Sequence, residues 1–190
     1  MPTRILFPHH WQTQPWKNGG GITHELAHSS DEHGTRWRLS IADVASDGPF
    51  STFPNIDRVI LMLDGKGFRL HGVGADPEII AAPLRPFAFA GESPLHCTLI
   101  DGPVRDFNLM SRRAEVSASL QVLRLQSDRQ LHPFAPQTFL FVAAGRVFAE
   151  LNDHGYLLDA KQTLAINNET GELQLSALST DAVALLIRLR

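Results

Sequence analysis

The sequence has almost no cysteine: Cys97 is the single one, which excludes an intrachain disulfide and fits a reducing compartment. It carries little excess charge of either sign. With 17 Lys and Arg against 20 Asp and Glu, the formal net charge is −3; the basic surplus of a nucleic-acid binder is missing, and nucleic acid is not an expected partner. Long apolar runs are missing as well. The opening stretch from Met1 to His10 has no continuous apolar core of a secretory signal, and no later run approaches the length of a membrane span, so a soluble, cytoplasmic protein without membrane attachment is expected. At 190 residues, 43% of them apolar and 19% charged, the chain buries a core without needing a disulfide or a metal to staple it.

Long helical stripes are also absent. The apolar pattern consists of short runs, Val59-Ile60-Leu61-Met62-Leu63, Phe139-Leu140-Phe141-Val142 and Val183-Ala184-Leu185-Leu186-Ile187, bounded by Gly, Pro, Asn or Asp. Fourteen glycines and twelve prolines punctuate these runs as turns, which predicts an all-β barrel or sandwich. The runs also repeat: Val59 to Phe68 resembles Phe139 to Phe148, and Gly65 aligns with Gly145 and Asp101 with Asp181 at one constant offset. This order predicts two related β-barrels fused in one chain, an N-terminal one over residues 1–113 and a C-terminal one over 114–190. The first half holds all three tryptophans and most clustered polar residues, so the ligand site is expected there and the second half is expected to be mainly structural.

Three catalytic or metal motifs fail on context. His24-Glu25-Leu26-Ala27-His28 has the form of a zinc-protease H-E-x-x-H, which needs a helix to put both imidazoles on one face. Gly19, Gly20 and Gly21 precede it and Ile22 to Leu26 alternate, so it reads as a strand. Gly65 and His71 occupy the first two positions of a metal-binding cupin motif, but the next required histidine is Val73. Cys97 lies beside His96, yet neighbouring strand residues point to opposite faces, so Cys97 reads as a small core residue. No bound metal and no cofactor are expected.

Several polar segments at strand ends carry the stronger signal. In Trp16-Lys17-Asn18-Gly19-Gly20-Gly21 an aromatic platform and a cation adjoin glycines whose backbone N–H groups approach an anion or carbonyl closely, with Thr23 and Glu25 following. Trp37, Leu39 and Ile41 share one strand face, and Arg38, Ser40 and Ala42 share the other. Asp57-Arg58 precedes an apolar strand, as an ion pair or as a carboxylate receptor. Asp106 and Asn108 alternate with Phe107 and Leu109, so both polar side chains share a face and need partners or a ligand.

The ordered blocks W-K-N-G-G-G-x-T-x-E (Trp16 to Glu25), W-x-L-S-x-A (Trp37 to Ala42), G-P-F-S-x-F-P-x-x-D-R (Gly48 to Arg58), P-F-x-F-x-G-E (Pro86 to Glu92) and D-G-P-x-x-D-F-N-x-M (Asp101 to Met110) resemble the HutD/Ves family. The resemblance implies a bicupin fold and an association with bacterial histidine utilisation or, in the Ves branch, with stress responses. It supplies no enzymatic activity. It implies a small-molecule sensor or regulator holding a carboxylate such as urocanate or formylglutamate, with a homodimer as a compatible assembly. In that reading Trp16 and Trp37 are aromatic walls, Arg58 receives the carboxylate, and Asn18, Ser40 and Asn108 orient it. Lys17, Gly19, Gly20, Thr23, Glu25, Asp57 and Asp106 complete the expected site. The rival reading is an enzyme, by acid/base chemistry through Glu25, Asp57 or Asp106, or as a zinc hydrolase through His24 and His28.

Overall fold

Short alternating runs broken by turn residues give antiparallel strands, because each strand then offers one apolar face and its turns return the chain to pair with itself. A computed structural model describes residues 3–169 and 171–190. Among them are nineteen strands, numbered along the chain, and one 3-10 turn at Pro8–His10. No helix among the described residues is long and apolar enough to cross a membrane.

The chain divides into two units. The unit Trp11–Val116 has a six-stranded sheet in the order β2 (Gln12–Pro15), β3 (Gly21–Asp31), β4 (Gly34–Val44), β11 (Val104–Arg112), β6 (Ile56–Asp64) and β9 (Phe87–Ala90). Its second sheet runs β5 (Gly48–Pro49), β10 (His96–Leu99), β7 (Phe68–His71), β8 (Glu78–Ile80). Ala42, Val44, Ile60, Met62 and Val104 of the larger sheet join Phe68, Leu70, Ile80, Leu95 and Cys97 in one buried cluster, so these two sheets face each other across a core.

The other unit has the sheets β1 (Arg4–Leu6), β17 (Thr163–Asn167), β14 (Gln137–Ala144), β19 (Val183–Leu189), β12 (Ala118–Arg124) and β13 (Gln130–His132), β18 (Leu173–Ala177), β15 (Arg146–Leu151), β16 (His154–Asp159). Its core is mostly apolar, with Leu140, Val142, Leu164, Ile166, Ala184 and Leu186 among the buried residues and Thr138 and Thr163 as fully buried polar ones.

The expected duplication is visible in the topology. The order β4-β11-β6-β9 corresponds to β12-β19-β14-β17, and β5-β10-β7-β8 corresponds to β13-β18-β15-β16. Even an irregularity recurs, with a register shift where β11 meets β6 and another where β14 meets β19. The boundary differs from the expected division at 113/114. The segment up to His10 belongs with Ser117–Arg190, because β1 pairs antiparallel with β17 through Arg4 and Ala165, Ile5 and Leu164, and Leu6 and Thr163. Ile5 packs against that unit's core.

Candidate functional site

Along the inner face of the six-stranded sheet the side chains change from apolar to polar. Val44 and Val104 pair at the apolar end. The next row across the strands is Thr23, Ala42, Asp106 and Met62, followed by Glu25, Ser40, Asn108, Ile60 and Phe87. A last row holds His28, Arg38, Met110, Arg58 and Phe89. A bulge between Glu25 and Ala27 shifts the alternation of β3, so Glu25 and His28 meet on one side, with Oε1 and Nδ1 2.6 Å apart.

Arg58 is the centre of this arrangement. It is only 6% exposed, and its guanidinium lies over the rings of Phe89 (4.9 Å to the centroid), Phe50 (5.4 Å) and Phe53 (5.5 Å). Its Nε and Nη2 donate to Asn108 Oδ1 at 3.3 and 3.2 Å, and Nη1 donates to the Ser51 carbonyl at 3.4 Å. Burial lowers its pKa to about 10, opposed by the negative charge of Asp106 and assisted by the positive charge of Arg38. Arg58 therefore remains a cation, held among phenyl rings.

Asn108 turns its other end to Asp106, donating from Nδ2 to Oδ1 at 3.3 Å. Asp106 is 1% exposed, and burial pushes its carboxyl up to about 7 against the opposing effects of Arg58 and Asn108; the charge of Asp43 raises it further. Arg38 completes the group. Its guanidinium also lies over Phe53, at 5.5 Å, and donates from Nη2 to the sulfur of Met110 at 3.2 Å. Thioether sulfur is a weak acceptor, and Arg38 Nε is buried without a hydrogen-bond partner. Burial lowers the Arg38 pKa, opposed by the charge of Glu25. Two guanidinia thus share one phenyl ring with too few acceptors between them, a donor set that suits a carboxylate.

The structure brings together Glu25, Ser40, Arg58, Asp106 and Asn108 of the expected residues, with Thr23 in the Asp106 row. Trp16 is tied to Thr23 by an indole Nε1 to Oγ1 hydrogen bond of 2.8 Å and packs against the core beneath. The glycine loop does a different job from the expected anion cradle. Gly19 N donates to the Trp16 carbonyl at 3.0 Å and Gly20 N to Asn18 Oδ1 at 3.0 Å, so both N–H groups are spent closing the β2–β3 turn. Gly21 is there for space, since a Cβ would lie 2.5 Å from the Asp43 carbonyl oxygen. Lys17 and Asn18 have exposed side chains in this turn.

Two further expectations are corrected by strand alternation. Trp37, 6% exposed, pairs with Ser111 on the face opposite Arg38 and Ser40, so it is no wall of this site. Asp57 likewise points away from its neighbour Arg58 and is exposed, with Oδ1 2.7 Å from Arg113 Nε. The H-E-x-x-H segment lies in β3, and its histidines have separate partners. His24 bonds Thr13 Oγ1 through Nδ1 at 2.9 Å and Asp43 through Nε2 at 3.0 Å, while His28 bonds Glu25. Among the described residues no three His, Cys, Asp or Glu side chains group where they could hold a metal ion. His71 is exposed on the outer side of β7, 3.2 Å from Thr98 Oγ1. A guanidinium pair at the centre of the inner face also repels a cation, so the cupin metal set does not fit this chain.

The expected site left out Arg38, Met110 and the phenyl rings Phe50, Phe53 and Phe89. Arg38 was legible: it shares its strand face with Ser40, and an arginine on an inward face is a signal in itself. The rings were not, because they come from a loop and an edge strand whose approach to Arg58 is tertiary.

Comparison with known proteins gives a consistent set of likenesses. The HutD family model matches residues 9–185. An "Uncharacterized 21.2 kDa protein in hutC 3'region" of Pseudomonas putida is 40% identical over 146 residues, covering 76% of this chain and 75% of that one. Protein Ves of Citrobacter koseri is 34% identical over 175 residues, covering 86% and 87%. The structure of HutD from Pseudomonas fluorescens SBW25, in a formate condition, superposes with a TM-score of 0.84 at 30% identity over 99% of both chains. A cupin 2 conserved barrel domain protein from Leptotrichia buccalis, at 8% identity and a TM-score of 0.58 over 90% of this chain and 89% of that one, shares the fold alone.

Proposed function

This chain belongs to the HutD family, and from that premise we propose that it is a small-molecule-binding protein, a sensor or regulator in bacterial histidine utilisation, that holds a carboxylate intermediate such as urocanate or formylglutamate. Arg58 receives the carboxylate, Arg38 supplies the second cation, and Ser40 and Asn108 orient the ligand. The observation that carries the reading is the pair of desolvated guanidinia over Phe53, one with a buried donor lacking a partner. Such donors cost free energy until an acceptor meets them.

The duplication supports the choice of unit. At the positions matching Arg58 and Asp106 by strand register, the second unit carries Thr138 and Ala184, both fully buried. Thr138 satisfies itself locally, exchanging hydrogen bonds with Ala135 N and O at 2.8 and 2.9 Å. The same fold therefore has no need of a buried arginine and aspartate for its stability. This supports assigning the inward-facing Arg58, Asn108 and Asp106 of the first unit to a ligand.

Isothermal titration with urocanate, formylglutamate and formiminoglutamate tests this. At least one is expected to bind, and Arg58→Ala is expected to weaken it at least tenfold, as removal of a charge-assisted contact worth about 1.5–3 kcal/mol does. Absence of binding by all three, or an unchanged affinity in R58A, sinks the carboxylate reading. A second reading, acid/base catalysis, has one observation in its favour: the Asp106 carboxyl sits at about 7, where a general acid or base works best. Conversion of a bound ligand, followed by NMR and lost in Asp106→Asn, would replace the sensor reading by this one.

A further inference from the structure

We propose that the buried relay Arg58–Asn108–Asp106 couples capture of a carboxylate on Arg58 to proton uptake by Asp106. The inference rests on the carboxylate-binding reading above and adds a regulatory property to that site.

Asn108 fixes the relay. Its Oδ1 accepts from Nε and Nη2 of Arg58, which forces Nδ2 toward Asp106, and Asp106 is only 1% exposed. The positive charge of Arg58 is therefore the largest influence holding Asp106 ionised against burial. An anion seated on Arg58 cancels most of that field while adding its own negative charge to the same dry space. Both changes favour the neutral acid. The proton comes from solvent and ends on the Asp106 carboxyl, Arg58 stays protonated, and midway between the free and bound midpoints the complex gains one negative ligand and about half a proton on average.

The other groups around Asp106 do not compete for this role. Ala42 and Met62 flank it across the sheet and do not titrate. Cys97, from the facing sheet, is pushed up to about 12 by burial and by the charges of Asp106 and Asp47, so it stays a thiol. Asp43 is held ionised by its hydrogen bond from Arg105. Arg38 remains cationic. Glu25 and His28 pair with each other at the end of the row.

The test uses sodium formate, the smallest carboxylate, at constant ionic strength. Carboxyl ¹³C NMR of aspartate-labelled protein follows the titration of Asp106, assigned with Asp106→Asn, while the Arg58 Nε resonance reports binding. In saturating formate the Asp106 midpoint is expected to rise by about one pH unit, and formate to bind about tenfold more tightly at pH 6 than at pH 9. In D106N the affinity loses that component, while whatever the two proteins share cancels in the comparison. If formate moves the Arg58 signal but leaves the Asp106 midpoint in place, the coupling is overturned and the carboxylate site stands. If formate leaves the Arg58 signal unmoved, the carboxylate reading falls and the coupling with it.

Discussion

Replacing Asp106 by asparagine keeps the shape of the side chain and removes its titration, which isolates one energetic statement. In the unfolded chain the carboxyl ionises near 3.8, and in the folded protein near 7. Between those values the native state holds a proton that the unfolded chain has released, so the native state loses stability as pH rises and the loss levels off above pH 7. At about 1.4 kcal/mol for each pH unit, the whole rise corresponds to about 4 kcal/mol, of which about 2–3 kcal/mol falls between pH 5 and pH 8. The asparagine variant carries no such slope. Urea unfolding of wild type and D106N, followed by tryptophan fluorescence between pH 5 and pH 8, is therefore expected to give two stability curves that diverge. The advantage of the variant grows by about 2–3 kcal/mol toward the alkaline side. Curves that run parallel to within about half a kcal/mol, the ordinary scatter of such comparisons, would refute the argument that Asp106 is a desolvated acid only partly compensated by Arg58.

The glycine loop gives an internal contrast: Gly21→Ala drives a Cβ toward the Asp43 carbonyl and the Trp16 ring and is expected to cost about 1–3 kcal/mol, whereas Gly19→Ala meets open space and costs about 1 kcal/mol for its positive φ. Thermal melts of the two variants check the order. Cys97, buried and with its thiol pushed up, is expected to resist a thiol reagent at pH 8 in the native protein and to react at once in denaturant. His24→Ala and His28→Ala are expected to leave the metal content of the purified protein unchanged, and elemental analysis showing stoichiometric zinc lost in H24A would reverse that conclusion.

Much of this was legible in the chain because a strand has a period of two. Asp106 and Asn108 on one face, and Arg38 and Ser40 on another, follow from counting alone. The same rule already placed Trp37 opposite Ser40 and Asp57 opposite Arg58; including them in one site overrode the alternation in favour of proximity along the chain. The pairing of Glu25 with His28 could not be counted, because the bulge at Leu26 breaks the period and nothing local marks it. The glycine loop misled for another reason. Its free N–H groups are an anion cradle only if no acceptor within the turn takes them, and Asn18 Oδ1 with the Trp16 carbonyl does so. The repeat was legible because turn glycines and apolar runs recur together. The division of the chain was not, since three residues, Arg4–Leu6, are too short a strand to announce a partner at Thr163–Asn167.

That distant pairing sets an order of events on the ribosome. All the strands of the Trp11–Val116 unit are synthesised before Ser117–Arg190, so that unit can close early, with its candidate site in place. Strand β1, made before any of them, must wait unpaired until Thr163–Asn167 appears. Arg4–Leu6, made first, thus close an edge of the second unit only after most of its strands exist. A deletion there would spare the sheets that carry Arg58 and loosen the half of the protein that holds no candidate site, which makes β1 a handle for altering one unit's stability without touching the other's chemistry.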